Sequence, residues 1–250
     1  MKNKVNLEKI AAVALALGVW QFGAMALDKS ILLVSPLDVA ALLTKLVGEI
    51  EFWQTVGYSF SRITAGFALG LLSGTIFAVT AHRLPIFEIL LWPFIAAIKA
   101  TPVASFIILC LIWLNSSALS IIISFLMVLP IVYTNMLQGL KSTDFKLLQM
   151  ADLFKASWPR KLIYIFLPQL KPYLLSACSV SLGMSWKAGV AAEVIGIPDG
   201  SIGEMLYEAK IYLSSADLFA WTVVIVIISI IFEKLFNHLL KSAFNRLERI

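Results

Sequence analysis

Few side chains in this 250-residue chain have the spacing that catalysis or metal binding requires. The two histidines, His82 and His238, stand alone, and neither belongs to an HExxH pattern. The closely spaced carboxylates form two pairs in predicted loops, Glu49 with Glu51 and Glu204 with Glu208. We interpret both pairs as solvated surface. The sequence also has no GxSxG elbow and no GxxxxGK[ST] phosphate loop, so it predicts neither hydrolytic chemistry nor ATP binding by that route.

The composition is that of an integral membrane protein. Hydrophobic residues make up 60% of the chain and charged residues only 14%, and the mean hydropathy is +0.90. An average soluble chain has about a quarter charged residues. The apolar runs are long and continuous, whereas a transmembrane strand shows only about ten residues of alternating pattern. We therefore predict an all-α, polytopic membrane helical bundle that forms one domain over residues 1–250.

Six apolar runs are long enough to be transmembrane helices. They are residues 10–27, 57–81, 86–114, 116–137, 162–192 and 218–232. The first run has a rival interpretation as a cleaved signal peptide, because positive residues precede it. Its apolar stretch is too long for a typical signal peptide and no clear small-x-small cleavage site follows, so we expect the segment to be retained.

The positive charges predict the orientation, because Lys and Arg are enriched in cytoplasmic loops. With the N-terminus inside, the inner segments hold thirteen basic residues: Lys2, Lys4, Lys9, Arg83, Lys141, Lys146, Lys155, Arg160, Lys161, Lys234, Lys241, Arg246 and Arg249. The outer loops hold three: Lys29, Lys45 and Lys210. We expect both termini and the polar loop, residues 138–161, to be cytoplasmic.

This asymmetry also accounts for the net charge of +5. The basic residues are spread over four inner segments and do not form one patch interleaved with aromatic residues, so we expect membrane lipid and not nucleic acid as the surrounding partner. Cys110 and Cys178 fall inside predicted spans, which gives no indication of a disulfide framework.

The polar loop contains a candidate docking helix. Over residues 144–157, Leu147, Leu148, Ala151 and Phe154 have the spacing of one helical face. Such a face could dock into a groove on a soluble partner. The alternative is an interfacial helix that lies on lipid headgroups.

Two prolines and three cations lie in or near the predicted spans. Pro102 and Pro168 lack a backbone donor and interrupt their helices, either to line a pathway or as plain structural kinks. Arg62, Lys99 and Lys187 would suit a pathway for an anion, because a charge in a membrane usually faces a cavity or a partner. Arg62 and Lys187 have the alternative of snorkelling to the outer interface.

Two further features of the predicted spans are expected to matter. Glu193 falls at the outer end of the fifth span, where it either gates an exit or is a solvated interface carboxylate. Gly66, Gly70 and Gly74 form two successive GxxxG spacings in the second span, which permit close helix packing.

The polar loop resembles the signature loop of binding-protein-dependent ABC importer permeases, E-A-A-x-x-x-G followed by I-x-L-P. The segment QMADLFK begins at Gln149, and IFLP ends at Pro168 with the expected spacing. Only Ala151 of the three-letter core is kept, and Lys155 stands in place of the glycine. A glycine there would permit a left-handed turn, so Lys155 either takes a strained conformation or lets the helix continue.

Other segments resemble the nitrate/sulfonate/taurine-type branch of that family. They are the amphipathic stretch after Pro36, SFSR at 59–62, KATP at 99–102, and SWKA through AAEVIG to GSIG at 185–203. The resemblance covers about residues 36–240.

The resemblance implies a permease subunit of an ATP-driven importer in the bacterial cytoplasmic membrane, working as a homodimer. It implies an ABC ATPase dimer that binds the ATP, so that this chain needs no cofactor, and an extracytoplasmic solute-binding protein. The implied ATPase contact consists of Leu147, Leu148, Gln149, Ala151, Asp152, Phe154, Lys155 and Pro168. The candidate pathway residues are Lys99, Pro102, Lys187 and Glu193.

The cargo expected from this branch is a small anion such as a sulfonate, nitrate or taurine, and the alternative is a vitamin precursor such as a thiamine-pyrimidine compound. Outside the family, the alternatives are a membrane enzyme, an ATPase-independent scaffold and a secondary transporter. The missing catalytic clusters argue against the enzyme and the docking helix against the scaffold. Cation-coupled secondary transport is disfavoured because no acidic residue is expected in the middle of a span.

Overall fold

The structure is a computed structural model that describes residues 2–27 and 33–247. This part of the chain is all-helical, as predicted. Its eleven α-helices are α1 (Lys2–Leu27), α2 (Pro36–Leu46), α3 (Ile50–Arg83), α4 (Pro85–Ala100), α5 (Val103–Trp113), α6 (Ser116–Lys141), α7 (Phe145–Leu153), α8 (Trp158–Lys161), α9 (Leu167–Gly196), α10 (Ile202–Ile211) and α11 (Ser215–Leu247). A π-helical turn, Leu162–Phe166, joins α8 to α9.

Three described helices are long and apolar enough to cross a membrane: Ile50–Arg83, Ser116–Lys141 and Ser215–Arg246. The bent pair α4–α5 would make a fourth span. The apolar part of α1, Ala11–Leu27, is shorter. Helix α9 has 30 residues, about 45 Å at 1.5 Å per residue, but it carries Lys171, Lys187 and Glu193. Six spans therefore stay a prediction.

The predicted cytoplasmic placement of both termini also stays a prediction. Of the basic residues in the charge count, Lys29 and Arg249 lie outside the described residues, as do the side chains of Lys2, Lys4 and Lys9.

The predicted span at 86–114 is two helices at a steep angle. Helices α4 and α5 are bent by 107° at the break between them. The break is at Thr101 and Pro102, both of which have extended backbone ψ angles, 131° and 137°. A proline disfavours the helical conformation of the residue before it and has no N–H to continue the helix, which explains the corner. Pro93, by contrast, lies inside α4 without ending it.

The core of the bundle is the packing of α3 and α9 against α6. Gly66, Gly70 and Gly74 are buried along one face of α3 and lie against α6. A Cβ atom placed on Gly70 would be 2.7 Å from the Cβ of Val128, closer than carbon atoms pack. The predicted role of the GxxxG spacing in close helix packing is therefore confirmed.

Aromatic residues attach α11 to this core. Phe67 of α3 is 1% exposed and contacts Phe236 edge-to-face with ring centroids 5.1 Å apart. Phe232, one turn earlier, makes a similar contact with Phe60 at 5.1 Å. Near the start of α3, the ring of Phe52 stacks on that of Trp221 with centroids 5.2 Å apart. Helix α11 is thus fixed along α3 by rings whose edge-to-face geometry contributes beyond burial alone.

We expect Gly70→Ala to destabilise the bundle by about 1–3 kcal/mol, the usual effect of an added methyl group in a packed interface. The measurement is the thermal midpoint of the purified chain in mild detergent. Gly57→Ala is the matched control on the same helix, because a Cβ there meets nothing within 4 Å. Equal midpoints for the two variants would contradict the close-packing account.

Candidate functional site

The polar loop folds into two short helices separated by a tight turn. Helix α7 begins after Asp144, whose side chain accepts a hydrogen bond of 2.8 Å from the N–H of Lys146. The helix ends at Leu153, and Lys155 then takes a left-handed conformation with φ 51°. Of the two conformations open to Lys155, the structure has the strained one. Lysine thus makes the turn that the family pattern assigns to glycine.

Helix α7 exposes a different face from the one predicted. Ala151 is 8% exposed and Leu148 is half-buried against the rest of the chain, whereas Leu153 and Phe154 are 84% and 80% exposed. The prediction of one docking stripe through Leu147, Leu148, Ala151 and Phe154 is therefore wrong. The reason is that Leu148 and Ala151 face the bundle, whereas Phe154, whose N–H still donates to the carbonyl of Met150, lies on the exposed side of the helix end.

An exposed apolar surface remains on this loop, formed by Met150, Leu153 and Phe154. Phe145 and Leu147 extend it toward the start of α7, with 69% and 38% exposure. Large apolar side chains grouped in a polar segment are typical of a protein contact.

The other predicted loop residues flank this surface. Gln149 and Lys155 are exposed. The carboxylate of Asp152 pairs with the ammonium group of Lys161, which ties α7 to α8. Pro168 lies in the first turn of α9, directly after the π-helical turn. A proline has no N–H to donate and is tolerated in the first turn of a helix. Pro168 is exposed there, and its place in the ATPase contact stays a prediction.

Two contacts hold the loop against the helix ends. The indole ring of Trp158 stacks on Phe166, with centroids 6.2 Å apart, and the guanidinium group of Arg83 lies 4.9 Å from the centre of the same indole. At the neighbouring corner, Lys141 forms an ion pair of 2.6 Å with Glu88. The contacts of Trp158 thereby connect the loop to the end of α3 and to the π-helical turn before α9, and the ion pair joins the end of α6 to α4.

Three candidate pathway residues are exposed in the single chain. Lys99 is in the last turn of α4 and Pro102 makes the adjoining corner, while Lys187 lies on α9. Neither lysine forms an ion pair within the part of the chain that the structure describes. Their neighbours Ile98 and Ala188 belong to the same apolar cluster.

Glu193, the fourth candidate, is fully buried, so the expectation of a solvated carboxylate is wrong. One carboxylate oxygen accepts hydrogen bonds from Ser59 (2.7 Å) and from the N–H of Gly203 (3.4 Å). The oxygen of Ser59 in turn accepts from the N–H of Ile202 at 2.9 Å. The other oxygen of Glu193 and the buried hydroxyl of Ser120 have no hydrogen-bond partner among the described residues.

This arrangement joins α3, α9 and the N-terminus of α10 around one carboxylate. Free N–H groups and the helix dipole favour negative charge at an N-terminus. The sequence motif at 59–62 contained Ser59, but nothing in it indicated that Ser59 meets Glu193, which is 134 residues away.

Arg62 is held by the protein at the same end of α3. Its guanidinium group donates a hydrogen bond to the carbonyl of Ser117 and lies 4.3 Å from the ring centre of Tyr58. These contacts anchor the start of α6 to α3.

A further carboxylate lies on α11, one residue beyond the end of the predicted sixth span. Glu233 lies within the candidate span Ser215–Arg246 and accepts a hydrogen bond of 2.5 Å from the hydroxyl of Ser179 on α9. The prediction that no acidic residue lies in the middle of a span stays a prediction, and so does the argument against secondary transport.

Long apolar helices around a glycine-lined core, with an ordered polar loop at one end, define a polytopic helical membrane subunit. Residues 66–249 match the family model described as binding-protein-dependent transport system inner membrane component. The chain belongs to this family of ABC importer permeases, which are inner-membrane transport subunits and not enzymes.

The chain is also similar to individual curated proteins. It is 27% identical to the taurine transport system permease protein TauC of Escherichia coli over 240 residues, 93% of this chain and 86% of that one. It is 24% identical to SsuC of Bacillus subtilis, a permease protein named for aliphatic sulfonates, over 86% of this chain and 78% of that one. The nitrate import permease protein NrtB of Leptolyngbya laminosa is 27% identical over 58% of this chain and 52% of its own. The resemblance to this branch is thus confirmed.

We expect Lys155→Gly to stabilise the polar loop by about 1 kcal/mol, because glycine adopts the left-handed conformation without steric cost. Hydrogen–deuterium exchange of peptides from α7 and α8 should slow accordingly. Lys146→Gly, inside α7, is the control and should speed exchange, since glycine is about 1 kcal/mol worse than alanine in a helix. Faster exchange in Lys155→Gly would contradict a strained turn.

Proposed function

We propose that two copies of this chain form the translocation pathway of an ATP-driven importer for a small anion. In this proposal each chain crosses the membrane six times with both termini in the cytoplasm. An ABC ATPase dimer docks on the polar loops, and a solute-binding protein delivers cargo at the opposite face. The chain itself holds no cofactor, because ATP is bound by the partner.

The observation that carries the proposal is the exposed apolar surface of the polar loop. Leu153 and Phe154 are the most exposed apolar residues of this surface, and the loop is held by the Asp152–Lys161 ion pair and by Trp158. A membrane subunit that is moved by a partner needs a rigid contact surface for that partner. The short helix pair provides one, because its inner residues Leu148 and Ala151 pack on the bundle.

The proposed cargo class follows from two facts. The relatives carry names for taurine, aliphatic sulfonates and nitrate. The exposed cations Lys99 and Lys187, which lack carboxylate partners among the described residues, suit an anion. A vitamin precursor carried by the same machinery remains the alternative cargo. Selectivity in such a system is expected to lie largely in the solute-binding protein.

Glu193 has a different proposed role from the three exposed candidates. Its carboxylate lies within a buried, hydrogen-bonded junction, so it is not placed to contact cargo in the structure. We assign it the positioning of α10 at the face where the solute-binding protein would dock. Three of the four carboxylates in the two acidic pairs, Glu49, Glu51 and Glu208, line a cavity of about 300 Å³ at this end.

We expect Phe154→Asp to abolish co-purification with the ATPase while leaving the amount of membrane-inserted chain unchanged. The residue is 80% exposed, so a charge there disrupts a partner contact and not the packing of the chain. The measurement is recovery of the ATPase with the tagged chain from native membranes in mild detergent.

Leu213→Asp is the matched control, because Leu213 is also an apolar residue, 69% exposed, at the opposite end of the bundle. It should retain the ATPase. Normal recovery of the ATPase with both variants would overturn docking at the polar loop, as would equal loss with both.

A further inference from the structure

A cavity of about 420 Å³ lies between the polar loop and the ends of the long helices. Its walls come from the last turns of α3 and α6, from α7 and α8, and from the beginning of α9. Much of the lining is apolar and includes Leu148, Leu170 and Phe166. The charged and titratable lining residues are His82, Arg83, Asp152 and Lys161. The cavity thus combines an apolar interior with a mainly basic edge.

Arg83 is the group at this edge most available to a ligand. The central carbon of its guanidinium group lies over the indole of Trp158, and the group has no carboxylate partner among the described residues. A guanidinium group carries five N–H donors in a planar fork that matches the oxygens of a phosphate. The contact with the indole holds the guanidinium group at the edge of the cavity. Lys161 adds positive charge, although it already pairs with Asp152.

The cavity also lies at one end of the helical bundle. Two candidate membrane spans end beside it, at Arg83 and Lys141. The neighbouring surface is apolar, with Tyr164 and Ile86 each about 60% exposed. On the positively charged side of a membrane, basic pockets between helix ends favour anionic lipids.

We propose that this cavity binds the phosphate headgroup of an anionic phospholipid, with Arg83 as the principal contact. The start of an acyl chain lies on the apolar lining. Because Trp158 and Leu148 belong both to the cavity and to the polar loop, a bound lipid supports the loop from behind the docking surface. The proposal rests on the cytoplasmic placement of this end of the bundle, and it is independent of ATPase and cargo.

The test is native mass spectrometry of the delipidated full-length chain, titrated with dioleoyl phosphatidylglycerol or dioleoyl phosphatidylcholine. We expect tighter binding of the anionic lipid, and a loss of about fivefold in its affinity in Arg83→Gln, since each basic side chain near an anionic surface contributes on that scale. Arg160→Gln removes the same charge from the same loop but lies outside the cavity lining. It should bind the anionic lipid nearly as the unaltered chain does.

Three results would overturn the proposal: equal affinity for the two lipids, unchanged affinity in Arg83→Gln, or the same loss in Arg160→Gln, which would show non-specific attraction. Displacement of the lipid by glycerol phosphate at the same concentration would also overturn the proposal. It would show that the site binds a soluble phosphate and not a lipid. Arg83→Lys keeps the charge but not the fork, and we expect it to lose less affinity than Arg83→Gln. Because only the isolated chain is used, these results are separate from ATPase recovery.

Discussion

The close approach of α3, α6 and α9 is the constraint on which the rest of the structure depends. Membrane helices gain little from burying apolar side chains away from lipid, so tight backbone packing must hold them together. Gly66 and Gly70 let α6 meet α3, and Gly189 does the same for α9, where a Cβ would be 2.7 Å from the side chains of Ile63 and Ser124. The three helices therefore form one rigid unit, which fixes the positions of its two ends relative to each other.

Each end of that unit carries a polar junction built on a helix terminus. At one end, Glu193 joins α3, α9 and the start of α10 through Ser59 and Gly203. At the other, Arg83 and Phe166 hold Trp158 and thereby the polar loop. A movement of the loop by a partner would thus act on the ends of α3 and α9, which reach the Glu193 junction. The geometry suits a subunit that passes motion across a membrane.

The features that could be predicted are those that depend on the local sequence pattern. Helical class, the break at Pro102 and the close packing at Gly70 follow from hydropathy, proline chemistry and small-residue spacing. The angle at Pro102 and the burial of Glu193 could not be predicted, because both depend on which distant helices meet. The exposed face of α7 was mispredicted for the same reason, because the packing of Leu148 and Ala151 on the bundle depends on helices that are distant in the sequence.

The central claim is that this chain transmits work from an ATPase partner. The most direct measurement is mild-detergent purification of the unaltered, tagged chain from its own host membranes, with mass spectrometry of the proteins recovered. The account predicts a stoichiometric ATPase whose sequence contains a GxxxxGK[ST] phosphate loop. Recovery of the chain without an ATPase, repeated after crosslinking in intact membranes, would contradict it.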